Sequence, residues 1–360
     1  MKLTEEQELI LSAVNEFSEG TIAPKALDIE RNGIPEEIIS SLSRNGFMGA
    51  AIPDTLGGAG LGEGSYRLIL ESIAKYSPSL AFFIYIQNSV AAGLMMASER
   101  KEELASAVYD IASGRKSSGI SLDTVTSRVS EVTVSVDASA RMTGRLGRVF
   151  NPTGDFVISP ALKDGKEVLF VLDGGYRTET ELTRLGFRGI GFSNIAIDAL
   201  PGNFRMISEE KASLRLADVL FRSSGAVAAI ALGMAEASIQ KALDYANSRK
   251  AFNAKLIEFQ PVAFSLSSMR SEIELLREYV LSDAANDELA GLKAKLMCTD
   301  LAVRASRLSL QVHGGNGYFD DYQIEKYYRD SMALQAFTGN RTEEMIRYSR
   351  RLFGNEAARL

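Results

Sequence analysis

The chain changes its hydrophobic period twice, and this limits the folds open to it. Up to about residue 116, apolar side chains recur at helical spacing. Ile10, Ala13, Val14 and Phe17, for instance, share one helical face. From Ser117 to about Asn203 the pattern becomes short alternating runs, "EVTVSV", "DFVIS", "EVLFVLDG" and "SNIAID", separated by turns such as "KDGK" and "LDGG". After about Met206, long stretches poor in Gly and Pro return to helical spacing. The expected fold is therefore mainly α with a small β domain. It has an N-terminal helical domain over 1–116, a middle antiparallel β-barrel or sandwich over 117–205, and a C-terminal four-helix bundle over 206–360.

Local signals sharpen the helical ends. Thr4 and Gln7 have capping-box spacing. Pro35 suits the first turn of a second helix, and Gly46 can end it. "PDTLGGAGLGEGS" reads as a Gly-rich loop. The most apolar segment, Ser79 to Ala97, is interrupted at mid-length by Gln87, Asn88 and Ser89. A buried helix is expected there rather than a membrane span, which needs about 20 predominantly apolar residues.

Composition narrows the chemistry. The 360 residues carry a net charge of −6 and no run of five basic residues, which argues against non-specific nucleic-acid binding. Cys298 is the only cysteine and His313 the only histidine, so no disulfide, imidazole-built metal site or metal-ligand cluster is expected. A Ser-His hydrolase would have to rest on His313 alone. The opening "MKLTEEQELI" lacks the basic-then-apolar order of a signal peptide, so a cytoplasmic location is expected.

Two motifs could carry chemistry. "QVHGGNGY" holds Gln311, Gly314, Gly315 and Gly317; glycines let a backbone expose N–H groups to a phosphate. The same letters also suit a turn that ends a helix. No strand precedes them, so they are not a Rossmann turn. "SRKAF" holds Arg249, which can grip a pyrophosphate through paired hydrogen bonds, and Phe252, expected on the same helical face. A solvated Arg and a core Phe fit these letters as well. Cys298 sits at helical spacing and reads as core.

The order of these segments resembles the acyl-CoA dehydrogenase family of flavoproteins over nearly the whole chain. "GFMGAAIPDTLGGAGLG", "LGFRGIGFSNIAID", "SRKAFNAKLIEFQPV", "QVHGGNGY" and "IEKYYRD" carry the likeness. The resemblance implies FAD at a subunit interface of a tetramer, with one subunit's β domain holding the isoalloxazine. The neighbour contributes elements matching Arg249, Phe252, Gln311, Gly314, Gly315 and Gly317, and Gln260 is implied as a further cofactor contact. It further implies that a Glu removes a proton alpha to the thioester carbonyl of an acyl-CoA while hydride passes from the beta carbon to the flavin.

This chain departs from that pattern. The family's base lies in a Tyr-Glu-Gly-Thr turn, which here reads Phe337-Thr338-Gly339-Asn340. Thr338 thus stands at the base position, and Gly339 and Asn340 at turn positions beside the cofactor. Glu343 and Glu344 lie more than a helical turn away in sequence. The alternative base position of some relatives is Ser223. The stretch that touches flavin and substrate reads "SLDTVTSR": Leu122 replaces Glu, Arg128 replaces Asp, and Ser127 survives as a substrate contact. Trp-Ile-Thr-Asn reads Arg148-Val149-Phe150-Asn151, and the chain has no Trp. The elements lent to a neighbour are intact and the chain's own pocket is degraded. The resemblance thus implies a homotetramer, or a heterotetramer in which a related chain is catalytic. An FAD-free scaffold and a flavin monooxygenase that needs no Glu are the other readings.

Overall fold

The computed structural model describes residues 3–121, 132–209, 212–354 and 356–357. The first helix, Glu5–Phe17, opens with the expected capping box of Thr4 and Gln7. Pro35 stands one residue before its helix, Glu36–Arg44, in extended backbone at the cap itself. Gly46 follows with φ +73°, and the Phe47 N–H reaches back to the Leu42 carbonyl at 2.9 Å, closing the helix end.

The apolar segment forms Pro78–Tyr85, a π-helical stretch Ile86–Ala92 and Gly93–Met96. This helix and Ser224–Ser248 are long and apolar enough by composition to cross a membrane; both are mostly buried inside the fold. The polar interruptions are internal ties. Gln87 Nε2 donates to the Ser118 carbonyl at 3.0 Å, and its Oε1 accepts from the Ser118 N–H at 2.7 Å. Asn88 Nδ2 donates to the Met48 carbonyl at 2.6 Å. Buried amides are tolerated because they are paired.

The strands are β1 Ser118–Ser121, β2 Val134–Val136, β3 Met142–Phe150, β4 Phe156–Lys163, β5 Lys166–Leu172, β6 Tyr176–Glu181, β7 Phe192–Ala199 and β8 Phe204–Ser208. They form one eight-stranded sheet in the order β6-β7-β3-β1-β4-β5-β8, with β2 pairing β3 and β4. The pairing is mainly antiparallel, but β1 and β2 run parallel to β4. The reason is topological: a strand inserted between two antiparallel neighbours must run parallel to one of them. Alternation buries both faces. Phe156, Ile158, Leu169 and Val171 join the main helical core, whereas Val157, Val168, Phe170 and Leu172 build a second core on the other side.

The C-terminal part contains the long helices Ser224–Ser248, Gln260–Leu281 and Glu288–His313, followed by Glu325–Phe337 and Arg341–Phe353. Ser224–Ser248 is buried along most of its length. At Gly233 it crosses Glu63–Ala74 so closely that a Cβ would lie 2.3 Å from the Glu71 carbonyl oxygen. A bare backbone is required at that crossing.

Candidate functional site

Residues matching the two site motifs lie on an outward-facing rim of the bundle. The helix ends at Ser248, and Arg249 is its extended C-cap. Phe252 is not on Arg249's helical face. Lys250–Ala251 and Ala254–Lys255 pair as a hairpin, β9 and β10, whose two-residue tip is Phe252 and Asn253, at φ +50° and +65°. A two-residue hairpin of this twist needs positive φ at both central residues. Asn accepts that readily, but Phe does so at a cost of roughly 1–2 kcal/mol. Phe252 is 95% exposed. Arg249 is exposed and forms no ion pair among the described residues.

Gln260 is exposed at the start of Gln260–Leu281, one residue before Pro261. Gln311 is exposed in the last turn of Glu288–His313. Gly314, at φ +56°, and Gly315 face open space, with nothing within 4 Å of where a Cβ would stand. Gly317 is buried. His313 is 5% exposed, hydrogen-bonds through Nδ1 to the Ser309 carbonyl at 2.8 Å and stacks on Tyr245 at 4.4 Å. Burial holds its pKa below the usual value. It acts as packing. Cys298 is fully buried, which raises its thiol pKa, as befits a core position.

The turn at Thr338 faces inward. Thr338 is 0% exposed, and its Oγ1 donates to the Leu334 carbonyl at 2.6 Å, back into its own helix. Lys295 Nζ donates to the Thr338 carbonyl and to Glu344 Oε1, both at 2.5 Å. Glu344 is distant in sequence yet close in space. Asn340 caps Arg341–Phe353 through Oδ1, turning the new helix so that Glu344 points back at the turn. Gly339, at φ +145°, makes this possible, since a Cβ there would lie 2.3 Å from Glu344 Oε1. Burial lowers the Lys295 pKa, while Glu344 opposes the shift. Beside this trio, Tyr85 Oη and Ser223 Oγ are 3.0 Å apart. Ser223 Oγ also donates to the Val219 carbonyl at 2.8 Å. Both candidate base positions, 338 and 223, therefore hold hydroxyls bonded to backbone, with no free carboxylate.

Sequence reasoning missed Lys295 and set Glu344 aside as too far along the chain. One signal was available: a lysine among Leu292, Leu296 and Thr299 on a core-facing helical stripe needs a buried partner.

On the β side, Arg148 is exposed at φ +50°, in a break in the β3–β7 register between Leu146 and Val149. The bulge re-aims the strand. Phe150, two residues later, is the aromatic turned inward. Ser127, with Leu122 and Arg128, lies outside the described residues.

Two models of one family match the chain: the acyl-CoA dehydrogenase N-terminal domain over residues 4–114 and the C-terminal domain over 220–352. The chain belongs to the acyl-CoA dehydrogenase family. Among curated relatives, a 3-(aryl)acrylate reductase of Clostridium sporogenes is 26% identical, covering 96% of this chain and 98% of that protein. The CarC subunit of the caffeyl-CoA reductase-Etf complex of Acetobacterium woodii is 24% identical, with coverage of 96% and 98%. A glutaryl-CoA dehydrogenase from Mycobacterium smegmatis, solved in complex with FADH2, superposes with a TM-score of 0.88 at 17% identity, covering 99% of this chain and 97% of that one. That last likeness speaks to the fold.

The fit of FAD to this acyl-CoA dehydrogenase-like chain differs between its two sides. The outward rim suits a dinucleotide: a free guanidinium, open glycine backbone and an exposed aromatic. The inward side does not suit a flavin ring, because Thr338 is fully buried and Phe150 packs against Phe337 at 4.8 Å between ring centres.

Proposed function

We propose that this chain is the non-catalytic subunit of an FAD-dependent acyl-CoA dehydrogenase that oxidises a CoA thioester between its alpha and beta carbons. It assembles as a tetramer with a related catalytic chain in the cytoplasm. The observation that carries this reading is the Thr338 turn: the base position holds a hydroxyl bonded to the Leu334 carbonyl, and the nearby carboxylate, Glu344, is paired with Lys295. A hydroxyl without its own base cannot take a carbon-bound proton near neutral pH.

The rim residues have a positive role in the same reading. The Arg249 guanidinium would clamp a pyrophosphate seated on the neighbouring chain. Phe252 would cover an apolar ring edge. Gln311 and Gln260 would donate or accept hydrogen bonds, and the Gly314–Gly315 backbone, open where a Cβ would stand, would let the ligand approach closely. FAD, once bound by the neighbour, supplies the hydride acceptor.

The test is purification from the native host with visible spectroscopy. The expected result is a mixed assembly containing a second, related chain, whose flavin band bleaches with a CoA thioester. A homotetramer of this chain alone that bleaches with thioester would overturn the non-catalytic assignment.

A further inference from the structure

The seam between sheet and bundle is packed with phenylalanine. Phe150 closes β3 and Phe337 closes Glu325–Phe337; their rings meet edge-on at 86° and 4.8 Å. Phe192, at the start of β7, lies 4.7 Å from Phe150 and 5.8 Å from Phe337. Phe82, from the Pro78–Tyr85 helix, lies 5.4 Å from Phe150 and stacks on Phe187 at 4.2 Å. Five rings from all three parts of the chain thus form one continuous cluster, and all but Phe337 are buried.

This cluster occupies the gap between the stretch matching the ring-bordering residues and the turn matching the base. A planar ring held between two walls needs about 3.5–4 Å on each side, so on the order of 7 Å between walls. A thioester stacked on that ring needs another layer. Phe150 and Phe337 are already in contact, and the fully buried Phe150 is packed too densely to yield freely. The backbone behind Phe337 cannot retreat either. The Thr338 carbonyl is tied to Lys295, and Lys295 to Glu344.

The geometry points to an aromatic plug: Phe150 and Phe337 shut this chain's own sheet–bundle seam against a flavin ring and a CoA thioester. The inference rests on the proposed reading of Phe337–Asn340 as the base turn. Its consequence is a stoichiometry: a mixed tetramer holds one flavin for every two chains, each seated in the partner.

Equilibrium dialysis of the purified full-length chain against FAD tests the plug, with bound flavin read by absorbance. The wild-type chain is expected to bind substoichiometrically, and Phe337→Ala to bind FAD at least about tenfold more tightly. One FAD per wild-type chain would overturn the plug. So would a Phe337→Ala variant with a native circular dichroism spectrum and no gain in binding. If that variant does not fold, Phe150→Leu replaces it and is scored in the same way. The subunit reading fails separately, if Arg249→Ala leaves the flavin content of the mixed native assembly unchanged.

Discussion

Lys295 holds the backbone carbonyl of Thr338 and the carboxylate of Glu344 with one buried ammonium. The cation fixes the turn whose letters resemble the family's base position. In this chain the turn is an anchor, and its chemistry follows from that.

Thr338→Glu should not create a working base. The new carboxylate would enter a fully buried position beside Glu344, with one lysine for two anions. We expect a loss on the order of 3 kcal/mol in urea unfolding, as for an uncompensated buried charge. The loss should grow as pH rises and the second carboxylate ionises. A variant as stable as wild type that bleaches flavin with thioester would refute this.

Lys295→Met should cost about 3 kcal/mol, because the half-buried Glu344 is left without its partner. Lys295→Met combined with Glu344→Gln should recover part of that loss. The coupling energy from the double-mutant cycle is the measurement, and strict additivity would show that the pair does not interact.

Asp330 makes stability pH-dependent. Its Oδ1 accepts from the Phe187 N–H at 2.6 Å, and its Oδ2 has no partner. Burial, then the charge of Glu30, pushes its pKa up to about 7. The folded state therefore holds this proton more tightly than the unfolded state, and stability should fall as pH rises from about 4 towards 7. Neighbouring Lys326, lowered to about 8 by burial, acts in the opposite sense: its contribution improves as pH climbs from 8 towards 10.5. Asp330→Asn should flatten the acidic limb; urea midpoints across pH 4–8 would check it.

Arg249→Ala should leave the chain's own stability unchanged, since the side chain is exposed and unpaired among the described residues. In the proposed mixed assembly, losing a charge-assisted hydrogen bond of about 1.5–3 kcal/mol should weaken flavin retention roughly ten- to hundredfold. Flavin content after gel filtration reads this directly.

Phe252→Asn separates strain from contact. Asn suits the positive φ of the hairpin tip, so the free chain should gain roughly 0.5–1 kcal/mol. The same change removes an exposed aromatic and should loosen assembly. A variant that weakens both folding and assembly would show that the ring already packs within its own chain.

The fold was legible because periodicity is local: helical stripes and strand alternation mark their elements without knowledge of partners. The parallel pairing of β1 and β2 with β4 was not legible, since adjacency depends on which strands are inserted between others. The rim motifs were found by their letters, but the backbone at Phe252 was misread. The Phe-Asn pair between Lys-Ala and Ala-Lys is a turn whose only cue is one Asn. Glu344 was set aside on sequence distance, although a glycine followed by an Asn cap reverses the chain in two residues.

Phe187 ties the three parts of the chain together. It is fully buried at φ +54°, its N–H is held by Asp330 of the bundle, and its ring lies on Phe82 of the N-terminal part. A left-handed phenylalanine persists only while its surroundings enforce it. If the bundle melts, the hydrogen bond goes; if the N-terminal helices melt, the stacking goes. The sheet therefore has no route to survive either event intact, and heating should produce a single calorimetric peak rather than stepwise domain melting.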